Sequence, residues 1–326
     1  MPACPIKSVV RFQNYAPSTV SVQERIVRGL RQSARELPSF LLYDVKGIRL
    51  FDRLSRVSNY STASEEADLI ARRADELRRL IGRRATIVEY GSGTARTAAA
   101  LVRAIGPVAA YLPVDLSLAS LKFGVRRLRR TVGDAGIMPV RADFHSCFPM
   151  PVVRKTGYPL VYLSSCVLST MDVASATRLL RGAATFCGQR GGVLLGADLR
   201  TPLTLSSSAQ PEAARQLLEE FNCNVLAHLN RRYAGRFHPA RFRHALVSNH
   251  ALRRTELRLV SSADQVLKIE GERIRIRQGE SILTEARRRY RWSEIEELAR
   301  DAGIAIERIW FDPSRSLALV YLRPAR

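Results

Sequence analysis

The 326-residue sequence predicts an α/β chain: a doubly wound, Rossmann-like parallel sheet ending in an antiparallel hairpin, with an added α+β capping region. Three observations carry this expectation. Short apolar runs alternate with helical segments from Ala85 to Ala197, as in parallel sheets covered on both faces. A glycine turn, Gly91-Ser92-Gly93, follows the first of these runs directly. An aspartate then stands at the end of each of the next two runs, Asp115 and Asp143.

The elements follow in order. Val22–Glu36 and Ser64–Leu80 show apolar residues at helical spacing, with a less regular stretch around Tyr43–Phe51 between them. Ala85–Tyr90 reads as a buried strand and Thr97–Ile105 as its helix. Ala109–Val114, Met138–Ala142, Leu160–Leu163 and Gly192–Ala197 are further strands, with helices at Leu118–Thr131 and Ala174–Phe186. After Asp198 the alternation breaks. Pro211–Arg232 reads as a helix, Ala251–Ile269 as strands of alternating polarity, and Trp292–Ala302 as a helix. Ala305–Phe311 and Ser316–Arg323 form the closing hairpin. The expected organisation is an N-terminal helical region (1–80) contributing to a lid and a Rossmann-like core (81–199). An inserted α+β substrate region (200–290) follows, and 291–326 returns to the core.

Composition narrows the function. Hydrophobic residues make up 46% and charged residues 25%, ordinary for a globular protein, and no apolar run is long enough for a membrane span. The first residues lack a secretory pattern. Five scattered cysteines without CxxC spacing argue against a disulfide framework or zinc site and fit a reducing cytosol. The five histidines form no HExxH motif, so no metal is expected. A net charge of +22 would draw anions, nucleic acid included. The arginines are spread along the chain, however, and no RNA-binding module is present. The groups Arg126, Arg127, Arg129, Arg130 and Arg287-Arg288-Arg289 read as solvated faces.

The cofactor site is the best-defined feature. Glycines between a strand and a helix let the backbone pass close beneath a ligand and direct amide groups toward it, which marks Gly91, Ser92, Gly93 and Thr94. Asp115, at the second strand's tip, is placed to accept hydrogen bonds from both hydroxyls of a ribose. Asp143 beside Phe144 suits an adenine, whose amine donates and whose face stacks. A nicotinamide dinucleotide would want a third glycine, where this chain reads Gly-Ser-Gly-Thr-Ala-Arg. S-adenosyl-L-methionine fits better, because it has no pyrophosphate to cradle.

The sequence resembles the histidine-specific N-methyltransferases of ergothioneine biosynthesis and the fungal relatives that methylate a prenylated tryptophan. The likeness runs from about Leu37 to Leu322. It includes Tyr43-Asp44, Leu50-Phe51, Asn59-Tyr60-Ser-Thr62, Glu89–Thr94, Val114–Ser117 and Ala142–Phe144. Phe221-Asn222-Cys-Asn224 and Gly279–Glu285 are its more specific segments. The resemblance implies a class I methyltransferase sheet, Tyr60 as a further cofactor contact, and an acceptor faced by Tyr43, Phe51 and Glu285. It also implies departures. The family's lysine after the glycine turn is replaced by Thr97, and its Gly-Asn-Phe segment aligns with Ser169-Thr170-Met171. A tyrosine that grips the substrate falls near Pro211, and a pocket serine falls at Arg287. Thr170 and Arg287 thus become the substrate-side candidates, with Arg287 suited to a carboxylate. Lost anchoring bonds of about 1–3 kcal/mol each argue against histidine as substrate.

The chemistry expected is transfer of a methyl group to a neutral nitrogen of a small amino acid or related amine, in specialised metabolism. Tyr43 and Glu285 would orient that nitrogen. The alternatives are methylation of RNA or protein through the basic surface, and a cofactor-binding homologue that has lost catalysis.

Overall fold

A computed structural model describes residues 12–57, 62–82, 84–132, 136–145, 148, 157–200 and 212–324. In chain order the N-terminal part gives β1 (Gln13–Tyr15), α1 (Thr19–Arg31), α2 (Val45–Val57), α3 (Ala63–Arg72) and α4 (Ala74–Ile81). The sheet region gives β2 (Thr86–Tyr90), α5 (Arg96–Ile105), β3 (Ala110–Asp115), α6 (Leu118–Val132), β4 (Gly136–Ile137) and β5 (Val140–Ala142). It continues with β6 (Pro159–Leu163), α7 (Ser165–Leu168), α8 (Val173–Cys187) and β7 (Gly192–Asp198). Beyond lie α9 (Glu212–Arg232), β8 (Phe242–Asn249), β9 (Arg254–Ser261), β10 (Gln265–Ile269), β11 (Glu272–Ile276) and β12 (Ser281–Arg288). The chain closes with α10 (Trp292–Asp301), β13 (Ile304–Phe311) and β14 (Leu317–Pro324).

The main sheet has the order β1-β5-β3-β2-β6-β7-β14-β13, with β4 beside β3. Strands β5, β3, β2, β6 and β7 are parallel, and the hairpin β13–β14 adds antiparallel to β7, as expected. The two-residue period sorts their side chains onto opposite faces. Val88, Leu112, Val161 and Val193 meet α8 and α10, whereas Ile87, Tyr111, Leu160 and Leu194 meet α3, α4 and α5. Both faces are covered, so the central strands carry continuous apolar runs.

A second core forms from both ends of the sequence. Ile26 and Leu30 of α1, Ile48 and Leu54 of α2 and Phe221 and Leu229 of α9 pack with Leu257 of β9, Leu267 of β10 and Ile282 of β12. Strands β12, β9 and β8 make its three-stranded antiparallel sheet, with β10–β11 as a separate hairpin. This layer faces the ends of the parallel strands and roofs the crevice there. Helices α3 and α4 belong to the other core, against the main sheet.

Several elements differ from expectation for identifiable reasons. The stretch around Tyr43–Phe51 contains helix α2. Asp44 and Gly47 look like turn residues, but the Asp44 carboxylate accepts from the Gly47 N–H (2.7 Å), capping the helix start. Gly47 is needed because a side chain would collide with the Leu42 carbonyl. The expected single helix Ser64–Leu80 is two, divided at Arg73. Strand β1 extends the sheet edge beside β5, and β8, β11 and β12 add to the strands read from sequence. The run Arg287-Arg288-Arg289 is not a solvated face: Arg287 and Arg289 are 3% and 1% exposed.

Asp198 explains where one of these arginines is held. It ends β7, takes two hydrogen bonds from the Arg200 guanidinium (3.0 and 2.8 Å) and pairs with Arg289. Breaking such a buried cluster leaves uncompensated charge, about 3–5 kcal/mol. Asp198→Asn is therefore expected to lower the unfolding free energy by about that amount in urea titrations. An unchanged midpoint would show that the cluster contributes nothing to stability.

Candidate active site

The turn between β2 and α5 is built by its glycines. Gly91 and Gly93 adopt φ of 64° and 45°, in the left-handed region that L side chains rarely occupy. A side chain at Gly91 would also collide with a methyl of Val167. The turn is tied to the next strand by Asp115, whose carboxylate accepts from the Gly93 N–H (3.0 Å) and the Ser117 N–H (2.8 Å). Burial pushes the Asp115 carboxyl up to about 6, against the lowering effect of these N–H donors. An ionised carboxylate has about four lone-pair positions, so acceptor capacity remains for a diol.

Asp143 follows β5. Its two oxygens accept from the Arg25 guanidinium on α1 (2.9 Å) and from the His145 N–H (3.1 Å). The His145 ring stacks on Phe144 at 4.8 Å, and burial holds its pKa below the usual imidazole value.

At the roof, a β-bulge interrupts the β12–β9 register between Leu283 and Glu285. The extra residue, Thr284, donates to Asn222 and to the Leu257 carbonyl. A bulge of this kind re-aims the following side chains; Glu285 and Arg287, two apart, then share a face. The Tyr43 hydroxyl donates to one Glu285 oxygen (2.6 Å) and Arg287 Nε to the other (2.9 Å). Glu285 is 2% exposed, so these partners stabilise a carboxylate removed from water. The Arg287 guanidinium lies 5.5 Å from the Phe51 ring centre, and the rings of Phe51 and Tyr43 meet edge to face at 5.4 Å.

One cavity of about 530 Å³ brings these groups together. It is lined by Gly91, Gly93, Asp115, Asp143 and Phe144 on the sheet side and by Tyr43, Phe51, Thr170, Glu285 and Arg287 on the acceptor side. Ser92 and Thr94 are absent from its described lining. Both are buried, and the Thr94 carbonyl accepts from Arg127 (2.8 Å). The turn thus presents glycine backbone, not its hydroxyls, to the cavity. Tyr60 lies outside the described residues. Arg25, Phe40, Leu116 and Cys166 also line the cavity and were not expected. Only an unremarkable helical spacing surrounds Arg25 in the sequence, and its partner Asp143 is distant, so no local pattern marks it.

Glycine backbone, a carboxylate with spare acceptor capacity and an aromatic ring thus meet at neighbouring strand ends in one cavity, opposite a buried polar corner, the kind of crevice in which doubly wound folds bind ligands. The chain belongs to the histidine-specific, S-adenosylmethionine-dependent methyltransferase family, matched over residues 22–324. It is a methyltransferase that uses S-adenosylmethionine. It is 24% identical over 305 residues to a histidine N-alpha-methyltransferase of Mycobacterium tuberculosis, covering 92% of this chain and 94% of that protein. It is 26% identical over 310 residues to one of Mycolicibacterium smegmatis (93% and 95% covered). A shorter stretch of 128 residues is 32% identical to the N-methyltransferase benX of Aspergillus terreus, covering 39% of this chain and 35% of that protein. Among the described residues, no helix is long and apolar enough to cross a membrane.

The raised Asp115 pKa sets a pH dependence. Ribose hydroxyls seated at Asp115 would donate to the ionised carboxylate, so binding there would favour the deprotonated form. Affinity for S-adenosylhomocysteine, followed by calorimetry, is expected to be level above about pH 7 and to weaken as pH falls through about 6. In Asp115→Asn that inflection should vanish and the affinity be at least tenfold lower. An unchanged pH profile in the variant would remove Asp115 from the ribose site.

Proposed function

We propose that this methyltransferase acts on the nitrogen of a small amino acid or related amine other than histidine, in specialised metabolism. The observation that carries the reading is the shared cavity: the Tyr43–Glu285–Arg287 cluster opens onto the same space as Gly91, Asp115 and Asp143. Membership of the family and the names of the relatives, histidine N-alpha-methyltransferase and N-methyltransferase, support nitrogen as the acceptor atom.

In this reading Gly91 and Gly93 underlie the cofactor, Asp115 holds the ribose, and Asp143 and Phe144 hold the adenine. The cofactor supplies an electrophilic methyl on a sulfonium, so no covalent nucleophile from the chain is needed. What the chain supplies is position and exclusion of water. The acceptor nitrogen must be neutral when its lone pair forms the new N–C bond, as the S–C bond breaks and its electrons pass to sulfur. Glu285 accepts a hydrogen bond from an acceptor N–H and orients the lone pair. Tyr43, donating to Glu285, fixes that carboxylate's rotamer.

Arg287 separates this chain from a histidine enzyme. Its charge offsets that of Glu285, so the pair presents little net attraction to a cation. Its planar fork, over Phe51, is suited to an acceptor carboxylate. Thr170 lies beside them but turns its hydroxyl to the Val167 carbonyl (2.8 Å), leaving it poorly placed to replace an amide anchor. Loss of such anchors, about 1–3 kcal/mol each, disfavours histidine.

A screen of amino acids and amines for S-adenosylhomocysteine release tests the proposal. Turnover is expected with at least one of them and to exceed that with histidine. Glu285→Ala should lower kcat/KM for that acceptor at least 100-fold while S-adenosylhomocysteine affinity stays within twofold. Binding of S-adenosylhomocysteine without turnover of any amine would contradict the reading, as would full activity of the variant.

A further inference from the structure

Beyond Glu285 the site does not end. A second chamber of about 680 Å³ adjoins the first, and Arg25, Pro38, Thr170 and Glu285 line both. Each is large enough for a compact organic ligand by itself. An amino-acid head seated at Glu285 therefore has open, polar space behind it.

The charges of the outer chamber are unevenly compensated. Its acids are Glu36, Asp172 and Glu285. Asp172 caps α8 by accepting from the Ser175 N–H (2.7 Å), and Glu285 is held by Tyr43 and Arg287. Glu36 is exposed. Its arginines are Arg25, Arg28, Arg254 and Arg288. Arg25 is engaged by Asp143. Arg28 is exposed.

Arg254 and Arg288 are the informative pair. They are direct register partners across β9 and β12. Like charges set directly opposite each other in a sheet are destabilising. Each has one carboxylate, and neither has it alone: Glu256 also takes Arg258, and Glu294 also accepts from the Arg291 N–H. Both guanidinium side chains are only 31% and 27% exposed, and Arg288 Nε is buried without a hydrogen-bond partner. An anion seated between them would relieve the repulsion and match the geometry that guanidinium groups recognise.

Resting on the acceptor reading above, we propose that the acceptor carries a second, anionic group, a carboxylate or phosphate, received by Arg254 and Arg288. The substrate class is then an amino-acid derivative extended beyond its methylated nitrogen. Glu285 and Arg288 stand three positions apart on β12 and project to opposite faces of this edge strand, but both border the outer chamber, so a ligand passing the strand's edge would carry its anionic group on the order of 10 Å from Glu285.

The test titrates protein saturated with S-adenosylhomocysteine, by calorimetry, with aminoacyl-glutamate α-amides and the matching aminoacyl-glutamine α-amides, so that the side chain carries the only carboxylate. The α-amides of aminoacyl-phosphoserine and aminoacyl-serine form a second arm that separates phosphate from carboxylate. At least one anionic member should bind tenfold or more tighter than its neutral counterpart. The double variant R254Q/R288Q should erase that preference while keeping S-adenosylhomocysteine affinity within twofold. Absence of any preference, or a preference that survives in the variant, overturns the proposal. Failure of the wild-type protein to bind S-adenosylhomocysteine would instead overturn the cofactor-site assignment beneath it.

Discussion

The site depends on one hydrogen bond, from the Gly93 amide to the half-buried carboxylate of Asp115. It ties the end of β2 to the end of β3 and holds the glycine turn in a left-handed path that only residues without a side chain adopt easily. Because Asp115 is desolvated, it depends on these N–H donors for its ionised form. A ligand that brings two hydroxyls to the same carboxylate adds donors where solvent has been removed. In the proposed reading positioning and affinity would then come from one group, with Asp143 and Phe144 extending the same logic to the next strand end.

The acceptor side is controlled from outside the sheet. The bulge in β12 turns Glu285 and Arg287 inward, and the core shared by α1, α2, α9 and β8–β12 holds that strand over the crevice. A carboxylate neutralised by its neighbour gives a different recognition surface from a lone one. Under the proposed acceptor reading it lowers the attraction for a cationic acceptor, and the arginines of the adjoining chamber are where the proposed anionic group would sit.

The parallel sheet was legible because burial on both faces leaves uninterrupted apolar runs, such as Ile87-Val88 and Leu194-Leu195, punctuated by glycines at the turns. Gly91, Asp115 and Asp143 were legible for a related reason: strand ends place them, and local spacing records strand ends. The roof was harder. Strand β12 carries charged residues on both faces and a bulge at Thr284, so no simple apolar alternation marks it; Arg287 is buried against Glu285, two residues away, and Arg289 against Asp198, distant in sequence. Helix α2 was hidden by an aspartate cap and a glycine that exists for close packing. Ser92 and Thr94 were marked through the amide groups of the turn, and local sequence does not tell which way their buried side chains point.

A crystal structure with S-adenosylhomocysteine tests the central claim most directly. The account predicts ribose hydroxyls on Asp115, adenine beside Asp143 and Phe144, and the sulfur directed toward the Tyr43–Glu285 corner. A nucleoside seated elsewhere, or a sulfur directed away from that corner, would contradict it.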